Sequence, residues 1–170
     1  MAIASLLGGI SHGFVTSEKI NAMLWHPLNL PLALTNGLVI VGVTYDIKGS
    51  ASLHIVLPII VVVSVLFFAL TIYFPEGFIV FIVYQLLAML FALATYVTLA
   101  YRQQLPGAWL ITAGILISIA GAVIQTQKTL HVQIIWQFNN NGLYHIVQMV
   151  GVIVWVIGLR KAFITQGNRP

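Results

Sequence analysis

The sequence predicts an all-α integral membrane bundle of six transmembrane helices, with five as the alternative. Three observations lead there. The chain of 170 residues is 60% hydrophobic and 6% charged, where a soluble domain carries about 25% charged residues. Its charges and Pro/Gly clusters divide it into long apolar runs, and Ile20 to Tyr45 passes 26 residues without a charged side chain. A run of about 18 or more apolar residues reads as a membrane-spanning helix. The runs are also continuous, where barrel strands alternate over about ten residues. In lipid only a helix or a closed barrel satisfies its own backbone, so helices remain.

The elements follow from the punctuation. Met1 to Thr16 is uncharged and ends at Ser17-Glu18-Lys19. It is read as a short first span rather than a signal peptide, because Met1-Ala2-Ile3-Ala4 lacks a basic start. The second span is Ile20 to Tyr45, with Pro27 and Pro31 expected to kink its first half. Ala51 to Phe74 is the third, closed by Pro75-Glu76-Gly77, and Phe78 to Tyr101 is the fourth. The fifth runs from Ala108 to about Thr126. A polar-aromatic connection, Gln127 to Asn141, leads to the last span, Gly142 to Leu159. Residues 1–170 are read as a single transmembrane domain with no room for a soluble one.

Charge sets the orientation. Lys19 and Lys128 fall on one side of these spans; Lys48, Arg102, Arg160, Lys161 and Arg169 fall on the other. The positive-inside rule assigns the second side, and with six spans both termini, to the cytoplasm. The net charge of +4 therefore reports topology. No basic cluster beyond Arg160-Lys161 suggests nucleic acid, and the expected partners are membrane lipid, other membrane subunits or a second copy of the chain. The absence of cysteine removes disulfides and thiolate chemistry.

Packing signals are present as well. Gly114, Ser118 and Ala122 recur every fourth residue on the fifth span, and Gly151 and Gly158 lie two turns apart on the last. Small residues at such spacing let helices approach closely. Aromatic residues gather at both boundaries, as membrane-interface side chains do.

Polar side chains inside spans are costly and often mark function. His12, His26 and His145 fall at a similar depth below the boundary that carries Glu18 and Glu76. Gln85 and Gln148 reach the same depth, and Gln125 lies near it. His26, Asn29, Ala33, Asn36 and Gly37 share one helical stripe; Asn141, His145 and Gln148 share another. Three histidines converging on one ion is the donor set of a hydrolytic zinc site with an open position, which lowers the pKa of its bound water to about 7. His12, His26 and His145 are the expected ligands, with Gln85, Gln148 and His26 lining the pocket. Glu18 or Glu76 is a candidate fourth ligand or general base. Two facing histidines suit haem b instead. The plainer reading is that each His and amide hydrogen-bonds a neighbouring helix. His54, near the basic side, is read as interfacial.

The segment Phe138-Asn139-Asn140-Asn141-Gly142-Leu143-Tyr144-His145-Ile146-Val147-Gln148 resembles a stretch of small bacterial membrane proteins. These are distantly similar to the alkaline-ceramidase-type hydrolases of the CREST superfamily, as is Gly8-Gly9-Ile10-Ser11-His12-Gly13-Phe14. The resemblance implies a helical bundle with zinc held by an early His and by a His pair opening the last span. Carried over, His12 and His145 become ligands, with Ser5 or Ser11 and Glu18 in support. Asn141 stands where the late pair has its first His, and Gly8 where the early motif has Ser. The function expected is intramembrane metal-dependent hydrolysis of a lipid-like amide or ester. The alternative is a non-catalytic membrane subunit that binds haem or serves structure or transport.

Overall fold

Ser17 opens the first long helix, its side-chain oxygen accepting from the Ile20 N–H as an N-cap does. The computed structural model describes residues 17–74, 77–127, 129–133 and 137–167, with Leu6 and Ile10. Its helices are α1 (Glu18–Lys48), α2 (Leu53–Tyr73), α3 (Gly77–Tyr101), α4 (Ala108–Thr126) and α5 (Asn140–Gly167), with a short 3-10 turn, Ser50–Ser52, before α2. All five are long and apolar enough to cross a membrane, so the protein is all-α and multi-pass. The first predicted span lies outside the described residues apart from Leu6 and Ile10, both helical.

The sequence boundaries hold to within a few residues, with two departures. Helix α1 carries Pro27 and Pro31 within one continuous helix, and the Thr35 hydroxyl bonds the Pro31 carbonyl at 2.7 Å. Helix α5 continues through Arg160 and Lys161 to Gly167, beyond the expected end at Leu159, because nothing there breaks a helix. The connection before α5 carries a small antiparallel pair, β1 (His131–Gln133) and β2 (Gln137–Asn139), in the register His131 to Asn139, Val132 to Phe138 and Gln133 to Gln137.

The chain divides into two compact units, Met1–Leu90 and Phe91–Pro170, with the division inside α3. In the first, Ala33, Phe67 and Phe81 form a buried cluster flanked by Leu32 and Tyr84. Phe67 meets Phe81 and Tyr84 with ring centroids 6.2 and 5.4 Å apart, tilted, a favourable aromatic geometry. Helix α2 buries only Ile60, Ser64, Phe67 and Thr71. Those four recur at helical spacing and define one inward stripe, leaving the other faces to lipid.

The second unit is organised by glycine. A methyl built on Gly114 would lie 2.6 Å from the Gly151 carbonyl oxygen and 2.7 Å from the Trp155 nitrogen. One built on Gly151 would lie 2.6 Å from the Ser118 Oγ and 2.9 Å from the Gly114 carbonyl. Gly158 meets the backbone of Ile111 and Gly107 in the same way, and Gly121 meets Val147 and Tyr144. Helices α4 and α5 therefore run antiparallel with their backbones in contact along a seam. The seam uses Gly107, Gly114 and Gly121, spaced a heptad apart, which keeps small residues on one face over successive turns. Ser118 lies in it, and the expected Ala122 does not: that residue is exposed. Gly107 serves twice, since its φ of 85° is left-handed backbone that glycine adopts without strain.

The aromatic boundary is visible as exposure at helix ends. Tyr73, Phe74, Tyr101 and Trp109 all present their rings outward, as interfacial anchors do.

Gly151→Ala should lower stability by about 1–3 kcal/mol, the usual cost of overpacking. Gly42, with nothing within 4 Å of an added Cβ, is the control: Gly42→Ala should leave stability unchanged or raise it by up to about 1 kcal/mol through helix propensity. Thermal unfolding of the purified protein in detergent measures both.

Candidate functional site

The sequence places its polar residues at the end of the second unit where the β1–β2 pair meets α5. Asn139 caps α5, its Oδ1 accepting from the Gly142 N–H at 2.9 Å. The Gln125 Nε2 donates to the Asn141 Oδ1 at 3.0 Å, and the Asn140 Nδ2 donates to the Gln125 carbonyl. The last turn of α4 is thereby tied to the first turn of α5, and three consecutive asparagines each carry one bond. A shallow cavity of about 350 Å³ lies beside them, lined by His131, Phe138, Asn139 and Gly142.

His145 lies one turn further along α5. It is exposed, and its ring centroid is 4.8 Å from that of Tyr144. Tyr144 itself packs against Gly121. Gln148 is half-buried on the same helix, and Gln85 is half-buried on α3 in the first unit. His12, Ser11 and Glu76 lie outside the described residues. Glu18 and His26 belong to α1, but their side chains are not among those described. Among the described residues, no three His, Cys, Asp or Glu side chains gather as a metal site requires.

Inside the first unit the stripe read from α1 is buried as expected at Ala33, Asn36 and Gly37. Sequence reasoning missed its partners. A Cβ on Gly37 would lie 3.0 Å from the Ser64 Oγ and 3.2 Å from the Tyr84 hydroxyl, so two hydroxyls from two other helices converge on that glycine. Ser64 is fully buried and donates weakly to the Ala33 carbonyl at 3.4 Å. The signal was available: Ser64 interrupts the most hydrophobic helix of the chain at a position in phase with Ile60, Phe67 and Thr71. Asn36 Nδ2 and Tyr84 OH are buried without a hydrogen-bond partner, as are Thr112 Oγ1 and Trp155 Nε1 in the second unit. Ser64 is the neighbour positioned to bond the Tyr84 hydroxyl.

The sequence model of a family of unknown function, DUF6962, matches residues 1–162, and the chain belongs to that family. No curated protein matches the chain, and no solved structure matches it.

Asn141→Ala leaves Gln125 without its acceptor. It should lower the stability of the purified protein by about 1 kcal/mol, in the range of interhelical hydrogen bonds in membranes. Thermal unfolding should show Gln148→Ala, on the same helix but outside this network, closer to wild type.

Proposed function

We propose that the protein is a non-catalytic, multi-pass membrane subunit with a structural or transport role, in contact with lipid and with other membrane proteins or a second copy of itself. The observation that carries this reading is the commitment of Gln125, Asn139, Asn140 and Asn141 to hydrogen bonds within the second unit. A hydrolytic centre needs polar groups directed at substrate; these amides hold two helices and a strand pair together. Five spans with short described connections suit such a subunit. The excess of basic residues near Lys48, Arg102, Arg160 and Lys161 supports placing that side, and both termini of a six-span chain, in the cytoplasm.

A second reading, a zinc-dependent hydrolase of a lipid-like amide or ester, draws support from His145, whose exposed ring is reachable by an ion. The described donors do not complete a metal site; His12 and the His26 side chain would have to supply the rest, with Ser11 and Glu18 in support. Zinc there would act as a Lewis acid. Haem held by two of the same histidines is the electron-transfer form of the subunit reading.

Metal analysis and a visible spectrum of the purified protein separate these. The structural or transport subunit predicts well under one zinc per chain and no Soret band. About one zinc per chain, lost in His145→Ala, kept in His54→Ala and released below about pH 6 as imidazole protonates, contradicts the proposal and supports the hydrolase. A Soret band lost in the same variant makes it a haem subunit.

A further inference from the structure

The second unit has no acidic side chain of its own. The acidic residues of the chain are Glu18, Asp46 and Glu76, and all precede Phe91, where that unit begins. Its basic residues therefore find no carboxylate side chain within the unit. Three of them, Arg102, Arg160 and Lys161, are exposed and belong to one end of it. A Cβ built on Gly107 would lie 3.2 Å from the Lys161 Cβ, so α5 brings Lys161 against the turn between α3 and α4. Arg102 opens that turn, and even a fully extended chain would span only about 18 Å from it to Gly107. The turn is folded: the Gln104 N–H donates to the Leu99 carbonyl at 2.9 Å, and the Ala108 N–H to the Leu105 carbonyl at 3.2 Å. Arg160 is the neighbour of Lys161 on α5.

Helix α5 does not end at these charges. Phe163 and Ile164 follow them and are exposed, as is Ile157 on the turn before. Ile157, Arg160 and Ile164 stand at i, i+3 and i+7, on one face of the helix. Arg160 thus interrupts an apolar face that continues about 5 Å beyond it, at 1.5 Å per residue. Were Arg160 out in bulk water, Phe163 and Ile164 would be there too. The bilayer boundary therefore reaches past Arg160 and Lys161, and both cations lie at headgroup depth. Exposed Tyr101 and Trp109 flank the turn at the same end, where interfacial aromatic residues sit. Cations held at this depth without an acid in their unit match lipid phosphate: Arg by its fork of donors, Lys as a point charge. Attraction to such residues favours headgroups with a net negative charge.

We propose that the α3–α4 turn and the last turns of α5 form a binding surface for an anionic phospholipid, whose phosphate is met by Arg102, Arg160 and Lys161. This names the lipid class for the lipid contact in the reading above and rests on that contact. It is indifferent to whether the chain is catalytic, so zinc or haem in the purified protein would leave it standing.

The test titrates the full chain in detergent with phosphatidylglycerol and, separately, with phosphatidylcholine, counting bound lipids by native mass spectrometry. The first phosphatidylglycerol should bind about tenfold tighter than phosphatidylcholine. Arg102→Gln, Arg160→Gln and Lys161→Gln should each weaken phosphatidylglycerol about fivefold, the worth of one basic residue near a charged surface, and leave phosphatidylcholine unchanged. Lys19→Gln, exposed at the start of α1, should bind both lipids as wild type does. All four variants should unfold thermally as wild type does, since each side chain is exposed. Equal affinity for the two lipids, or an equal loss in Lys19→Gln, would overturn the proposal. So would displacement of phosphatidylglycerol by inorganic phosphate at constant ionic strength, which marks a site for a soluble anion. A loss confined to variants that unfold early would overturn it as well.

Discussion

Helix α4 and helix α5 meet backbone to backbone, and the second unit depends on that contact. Lipid chains are as apolar as leucine, so burying leucine between two helices gains little in a membrane. What remains is dispersion between closely fitted surfaces and hydrogen bonds that lipid cannot supply. Both need the helices close. Gly114 and Gly151 permit the approach because neither has a Cβ, and Ser118 fills the remaining gap with an atom that also bonds the Gly114 carbonyl at 2.9 Å. Once the seam is set, the ends of the helices are aligned well enough for Gln125 to reach Asn141. The amide network and the cap of α5 follow from the glycines rather than the reverse.

The two units answer the polar-group problem alike. Most polar side chains close onto their own helix or onto each other, as Ser118 does in the second unit and Thr35, Thr44 and Thr71 do in the first. Each unit also keeps two polar atoms buried without a partner, Asn36 Nδ2 and Tyr84 OH in the first, Thr112 Oγ1 and Trp155 Nε1 in the second. Gly37 cannot accept a side chain without displacing Ile60 and the hydroxyls of Ser64 and Tyr84. The same device, a glycine at a helix crossing, serves packing in one unit and leaves space for polar atoms in the other.

Much of the architecture is legible from residue spacing. Charges and Pro/Gly turns mark α2, α3 and α4 nearly to the residue, because a hydrocarbon slab excludes charge from a span and a Pro/Gly cluster turns the chain between spans. The seam is half legible: Gly114, Ser118, Gly151 and Gly158 stand out, but spacing by four also suggests Ala122, whereas the packed face follows the heptad through Gly107 and Gly121. The β1–β2 pair is not legible, since three-residue strands carry no periodic signal. The polar stripe of α1 is legible, yet the partners it meets are long-range facts: nothing in the apolar sequence around Ser64 or Tyr84 says that both reach Gly37. The histidine pocket rests on depth and on helical stripes, and neither fixes which faces of separate helices meet. His145 faces outward while its neighbour Tyr144 packs inward.

The seam can be tested directly because the chain has no native cysteine. A Cβ on Gly121 would lie 3.3 Å from the Val147 Cγ1, the position a cysteine sulfur would take, which suits a disulfide with its Cβ atoms about 3.5–4.5 Å apart. Gly121→Cys combined with Val147→Cys should therefore oxidise in the membrane to a cross-link within one chain, read as a two-hydrogen mass loss on the intact monomer. Free thiols under oxidising conditions, or cross-links only between chains, would contradict a backbone contact between α4 and α5 and with it the account of the second unit.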